Sequence, residues 1–222
     1  MTGVADGDLA PHAGTDPDEL TRRREAVAPG PWTWLRQVHG STVVRVDEPG
    51  GGAGVEADAA VTDRPGAVLA VHTADCAGVL LWGPTASGRP VVGAAHAGWR
   101  GLEAGVLEAT VAALRDLGAT GVTWRLGPCI SPSAYEFGDA DLDRLVARHG
   151  TALRAATPAG RPALDLRAGV AAALSAAGAR PDHDPGDVPC TAGDPGWYSW
   201  RARGDRGRQA AVVWWEPAGE AS

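Results

Sequence analysis

Residues Ala67–Trp82 form a long apolar run whose middle is taken up by His72-Thr73-Ala74-Asp75-Cys76. No stretch of the chain approaches the roughly 18 uninterrupted apolar residues of a membrane span. The run therefore reads as buried structure that carries an imidazole, a carboxylate and a thiol into its own interior. Small residues flank these groups, and polar groups at strand ends on a rigid sheet are a common way to build a site.

The rest of the chain supplies a mixed set of elements. Trp32–Asp47, rich in Trp, Val and Thr, reads as strand and contains Gln37-Val38-His39-Gly40. Asp58–Asp63, Val91–His96, Val122–Leu126 and Gln209–Trp215 read as further strands. Leu102, Val106, Ala109, Ala113 and Leu117 recur at helical spacing, with Gly118 as a natural stop. Asp18–Val27, Asp141–Arg148 and Asp165–Ala177 are further helices. Glu48–Gly54 and Asp182–Gly196 read as loops. There is no internal repeat and no clear linker, so a single α/β domain is expected. Residues 1–31 read as a partly loop-like N-terminal extension, 32–216 as the main domain and 217–222 as a tail.

The 222 residues are enough to bury a substantial core. The formal net charge is −7, and every one of the 20 Lys+Arg residues is Arg. Such a chain has no general pull toward nucleic acid or anionic membrane, although Arg suits local binding of phosphate or carboxylate. Cys76, Cys129 and Cys190 are an odd, widely spaced set, unlike a secreted disulfide framework. Met1–Ala10 lacks a basic start followed by an apolar stretch. A cytoplasmic address is expected.

Among the six His, His39 lies just before Gly40, and His96 ends a strand before Ala97-Gly98, where the backbone can bend tightly. On spacing alone, His39, Cys76 and His96 are equally a metal site or a buried thiol with two hydrogen-bonded imidazoles. The chain has no Cys-x-x-Cys and no His-Glu-x-x-His. His72, four residues from Cys76, competes as a ligand. Gln37 and His39, two apart, share a face if the segment is a strand. Gln37 then binds substrate, orients the ligand or makes a structural hydrogen bond. Asp75 serves as a partner of a His ligand or caps a turn. Arg100 precedes a helix start near Gly101, where free N–H groups favour anions; a surface salt bridge is the alternative. Trp99 and Tyr198 stack on a ligand ring or pack the core. Cys129 and Cys190 read as packed thiols.

Gln37-Val38-His39-Gly40, Thr73-Ala74-Asp75-Cys76 and His96-Ala97-Gly98-Trp99-Arg100-Gly101 resemble the signature of the YfiH family, also called laccase-domain or multicopper polyphenol oxidase-like proteins. Gly127-Pro128 with Ile130, Tyr135-Glu136 with Gly138, and Cys190-Thr191, Asp194, Tyr198-Ser199 and Arg201 are similar to its later blocks. The similarity runs in register from about Trp34 to Trp215. Upstream, the chain departs from the family's usual opening strand. The resemblance implies a single-domain α/β sandwich with mixed sheets and a metal held by His39, Cys76 and His96. It further implies zinc-dependent phosphorolysis of purine nucleosides, with adenosine deamination as a side activity. The substrates would be a purine nucleoside (adenosine, inosine or methylthioadenosine) and phosphate, with Arg201 joining Gln37 and Asp75 as substrate-binding candidates.

Three protein ligands leave zinc an open position, and water there loses its proton near neutral pH. The resulting hydroxide is suited to attack at C6 of adenosine. Three other readings compete. A copper (Cu2+) polyphenol oxidase fits two His and one Cys, but no two of the His are spaced by two, and Met1 is the one possible axial Met. A cell-wall precursor editing hydrolase would use Cys76 as nucleophile and His96 as base. A non-catalytic zinc module would add His72 as fourth ligand.

Overall fold

The computed structural model describes residues 1–12 and 14–217; the expected tail lies outside the described residues from 218 onward. In chain order the elements are α1 (Pro17–Val27), β1 (Trp32–Trp34), β2 (Val43–Arg45), β3 (Ala59–Thr62), β4 (Val68–Thr73), β5 (Ala77–Pro84), β6 (Pro90–Ala97), α2 (Trp99–Ala104), α3 (Val106–Asp116), β7 (Val122–Leu126), α4 (Asp139–His149), β8 (Arg154–Ala156), β9 (Pro162–Leu164), α5 (Leu166–Ala176), β10 (Ala179–Pro181), α6 (Trp200–Arg203) and β11 (Gln209–Val213). None of the described helices is long and apolar enough to cross a membrane.

The apolar run becomes two strands in two different sheets, because its polar interruption turns the chain. β4 is the middle strand of a three-stranded sheet, β1-β4-β11, and β5 belongs to a six-stranded sheet, β10-β7-β5-β6-β3-β2. β5 and β6 form a long antiparallel hairpin, in register from Ala77↔Ala97 to Pro84↔Pro90. β8 and β9 pair as a separate ribbon.

Side-chain alternation then sets the layers. On β5, Ala77, Val79 and Leu81 join Leu107, Val111 and Leu114 of α3 and Val170 and Leu174 of α5 in one core. Leu80, between them, faces Leu69 and Val71 of β4 and Ala211 of β11 in a second core between the sheets. The opposite β4 face, Val68 and Ala70, meets Leu9, Ala28 and Trp32 in a third. Each fully buried Leu or Val contributes roughly 1.5–3 kcal/mol of transfer free energy, so every strand of the apolar run is held from both faces. The expected α/β sandwich with mixed sheets is the observed architecture, with helices outside the large sheet and the N-terminal segment outside the small one.

Residues 1–12 are stitched into this stack. The Thr2 N–H donates to the Ala210 carbonyl at 3.0 Å and the Ala210 N–H donates to Thr2 Oγ1 at 2.7 Å. α1 starts as its sequence dictates: Asp16 accepts from the Asp18 and Glu19 N–H groups, and Pro17 occupies the first turn.

Two expectations are corrected. Trp32–Asp47 is not one strand but β1 and β2 separated by a loop, so Gln37 and His39 share no strand face. The helix expected after Gly101 begins at Trp99 and breaks at Gly105, whose φ of 91° ends α2 and starts α3. Arg100 therefore lies in the first turn of a helix, not ahead of it.

Candidate functional site

His39, Cys76 and His96 arrive from three places: the β1–β2 loop, the turn entering β5, and the end of β6. One ligand atom from each lies within 4.8 Å of the other two, making this the one such cluster among the described residues. The imidazoles of His39 and His96 meet edge to face, 4.8 Å between centroids. Cys76 Sγ lies 3.8 Å from His39 Nε2.

Asp58, just before β3 and fully buried, organises two of the three groups. Its carboxylate accepts from the successive N–H groups of Val38 (3.2 Å), His39 (2.9 Å) and Gly40 (2.7 Å). Wrapping three amides around one anion forms a backbone nest and explains why His39 sits at φ 60°. The same carboxylate lies 2.8 Å from His96 Nδ1. That contact keeps a proton on Nδ1, so Nε2 is the nitrogen at which a metal would replace the second proton, the outer arrangement typical of a metal-binding histidine. Burial opposes the charge on Asp58, but the His96 hydrogen bond and the Gly40 and Val38 amides outweigh it and hold the carboxyl below its ordinary range.

Burial would likewise raise the Cys76 thiol and lower His96. The imidazoles around the sulfur outweigh the first effect, and the thiol and Asp58 outweigh the second. Cys76 is thus held low and His96 high, the signature of a thiolate facing a protonated imidazole. A metal cation stabilises the same thiolate in place of the proton. Space is tight at Gly98: a Cβ there would lie 2.7 Å from His39 Cδ2 and 3.0 Å from Cys76 Sγ. Two imidazoles and a thiolate, one imidazole already oriented from behind, fit a borderline-soft metal such as zinc.

The cluster opens into a cleft of about 850 Å³, a size typical of small-molecule sites. Trp99, Arg100, Tyr135 and Arg201 form one wall. The Arg100 guanidinium stacks on Trp99, 4.3 Å from its centroid, and that of Arg201 on Tyr135 at 5.2 Å. Phe137 joins the two rings edge to face. Neither guanidinium has an ion-pair partner among the described residues, whereas Arg36, also at the cleft, is paired with Glu56.

The other sequence candidates divide. Gln37 lines the cleft, but its amide clamps the His72 backbone, donating to the carbonyl and accepting from the N–H, both at 2.8 Å. His72 stands apart from the three-residue cluster, with Nε2 buried and without a hydrogen bond. The carboxylate behind a histidine is Asp58, not Asp75, which bonds Thr191, Ser199 and the Arg201 amide instead. Tyr198 packs against Gly207 away from the cleft, and neither Cys129 nor Cys190 lines it. Two residues not singled out from sequence as site residues contribute: Tyr135, which lines the cleft, and Asp58, which stands behind His96 outside it. Asp58 had one visible signal, an acidic residue at the head of a buried strand.

A family model described as multi-copper polyphenol oxidoreductase laccase matches residues 3–216. The chain belongs to this family. The match includes most of the N-terminal segment, upstream of the blocks that carry the sequence resemblance. A purine nucleoside phosphorylase of Streptomyces coelicolor is 40% identical over 211 residues, covering 90% of this chain and 84% of that protein. The purine nucleoside phosphorylase YfiH of Escherichia coli is 43% identical over 136 residues, 59% of this chain and 54% of that one. A Neisseria meningitidis DUF152 protein superposes with a TM-score of 0.78 at 32% identity, covering 95% of this chain and 86% of its own.

Proposed function

We propose that the protein is a zinc-dependent purine nucleoside phosphorylase, converting adenosine, inosine or methylthioadenosine and phosphate to the free base and a pentose 1-phosphate. Adenosine deamination, which consumes water and releases ammonia, is its side activity. One observation carries the reading: a two-imidazole, one-thiolate cluster and two ring-stacked guanidiniums, without ion-pair partners among the described residues, share a single cleft, in a chain whose relatives bear the phosphorylase name.

His39, Cys76 and His96 hold the metal. When bound, zinc with three protein ligands supplies Lewis acidity at an open position and lowers the pKa of water there. Asp58 keeps the His96 proton on Nδ1, so Nε2 stays a donor to the metal. Arg100 and Arg201 bind phosphate and balance its charge while their rings keep them pointed into the cleft. Trp99, half-buried, and Tyr135, buried, line the cleft and offer an apolar wall to the purine. Copper-based phenol oxidation is the lesser reading, since Met1, the chain's one methionine, packs by Gly127 and does not line the cleft.

The test is chromatographic product analysis of zinc-loaded protein with adenosine, with and without phosphate, beside Cys76→Ala. Phosphate-dependent adenine that Cys76→Ala fails to make is the expected result. Absence of both adenine and inosine overturns the reading and turns attention to the hydrolase that uses Cys76 as nucleophile. A second variant separates the two reactions: Arg100→Ala should raise the phosphate KM about tenfold or more, the loss of one charged hydrogen bond, and spare deamination. Equal loss of both would remove Arg100 from the phosphate site.

A further inference from the structure

We infer that Asp75 is a positioning residue that clamps the Cys76 turn to the helix carrying Arg201, and that it is not a ligand for substrate. The role assigned to Arg201 rests on the phosphorylase reading above; the clamp itself rests on geometry.

Asp75 adopts φ 107°, a conformation that residues other than glycine rarely adopt, Asp and Asn the most readily among them, at the residue next to the Cys76 sulfur. Such a backbone persists only where the surroundings over-determine it, and here they do. The Asp75 carbonyl accepts from the Ile130 N–H at 2.9 Å. Its carboxylate oxygen Oδ1 accepts from Thr191 Oγ1 and Ser199 Oγ, each at 2.7 Å. Oδ2 accepts from the Arg201 N–H, also at 2.7 Å. The side chain is buried at 8% exposure, and all three of its donors are neutral.

These partners lie 116 to 126 residues away in sequence. Ser199 is the N-cap of α6, its Oγ accepting from the Ala202 N–H. Asp75 therefore caps the same four-residue helix from outside, and that helix aims Arg201 across Tyr135 into the cleft. One residue thus fixes the sulfur on one side, through a peptide bond, and the arginine on the other, through a hydrogen-bonded cap. With its oxygens already engaged by three donors, the carboxylate has little capacity left for a nucleoside hydroxyl or amine.

The experiment compares Asp75→Ala and Asp75→Asn with wild type in three binding measurements: zinc affinity by chelator competition, inorganic phosphate binding by calorimetry, and adenosine binding by equilibrium dialysis. Asp75→Ala should weaken zinc and phosphate together by about tenfold or more, in line with other residues that support ligands from behind, and leave adenosine within about twofold. Asn accepts positive φ, can present Oδ1 to the Arg201 amide, and leaves the two hydroxyls free to turn, so Asp75→Asn should recover both affinities to within a few-fold. Loss confined to adenosine would make Asp75 a substrate ligand and overturn the clamp. An Asn variant as impaired as Ala would do the same, by showing that the charge itself is used. If wild type binds zinc but not phosphate, the phosphorylase reading fails while zinc affinity still judges the clamp. Should Asp75→Ala not fold, Thr191→Val removes one of the donors, and an unchanged zinc affinity in that variant overturns the proposal.

Discussion

Asp58 shows how much of this site depends on a residue that does not line the cleft. It is fully buried, which by itself would favour a protonated carboxyl, yet three backbone N–H groups and one imidazole converge on it. Asp58→Asn replaces one acceptor oxygen with a donor that must face either His96 Nδ1 or a nest amide. Zinc affinity is expected to fall between ten- and a hundredfold, read by chelator competition; an unaltered affinity would mean that His96 orients itself. Gly98→Ala is a purely steric test. Its φ of −72° suits alanine, so only the new methyl, pressed between His39 and Cys76, does harm. The variant should keep its melting temperature in the metal-free state and lose zinc; retained zinc would show that the cluster can spread. Both residues were hard to read in sequence, for physical reasons. His39, Cys76 and His96 announce themselves as His and Cys in recognisable blocks, but Asp58 acts through loop 38–40 closing over it and through the pairing of β3 with β6. Gly98 reads as a flexible bend when what it supplies is an empty space.

Elements with long alternating patterns were legible; those that depend on distant partners were not. β5 and β6 are almost wholly apolar and buried on both faces, and α3 repeats its large residues with helical spacing, so local signal and tertiary burial agree. Trp32–Asp47 misleads because strand-forming Trp, Thr and Val residues stand at both ends of a loop whose shape Asp58 sets from outside. β8, β9 and β10, of three residues each, exist only through pairing. The break between α2 and α3 follows from one residue, Gly105, at φ 91°, where a Cβ would also lie 2.8 Å from Arg148 Nη2. Gly105→Ala should destabilise the fold by about 1 kcal/mol or more, measured as a lower urea midpoint at constant m-value. No loss would imply that α2 and α3 can fuse into the continuous helix that the periodicity suggests.

At the scale of the molecule, the site lies where the two sheets and the N-terminal segment meet, and one buried histidine makes that junction sensitive to acid. His72 is the penultimate residue of β4, beside the segment that includes Leu9, and its Nε2 has no partner among the described residues. Burial, with the nearby Arg24 charge added, pushes its pKa down from 6.5 to about 3. The sign of the consequence follows from proton uptake. Above pH 6.5 both folded and unfolded chains carry neutral His72, and the fold has its full stability. Between 6.5 and about 3 the unfolded chain takes up a proton that the folded chain refuses, so stability falls as pH falls, by up to about 1.4 kcal/mol per pH unit. Other carboxylates titrate in the lower part of this window, so the comparison must be between proteins. His72→Leu removes the titration together with the ring's hydrogen bond to the Leu9 backbone, a loss that offsets the two proteins but leaves their difference in pH dependence readable. Urea unfolding of the metal-free proteins at pH 7, 6 and 5 should show wild type losing stability faster than His72→Leu, the gap widening by about 1 kcal/mol or more over the series. Parallel pH dependences would mean that His72 gains its proton without unfolding, and that the junction between β4 and the N-terminal segment opens to water in the native state.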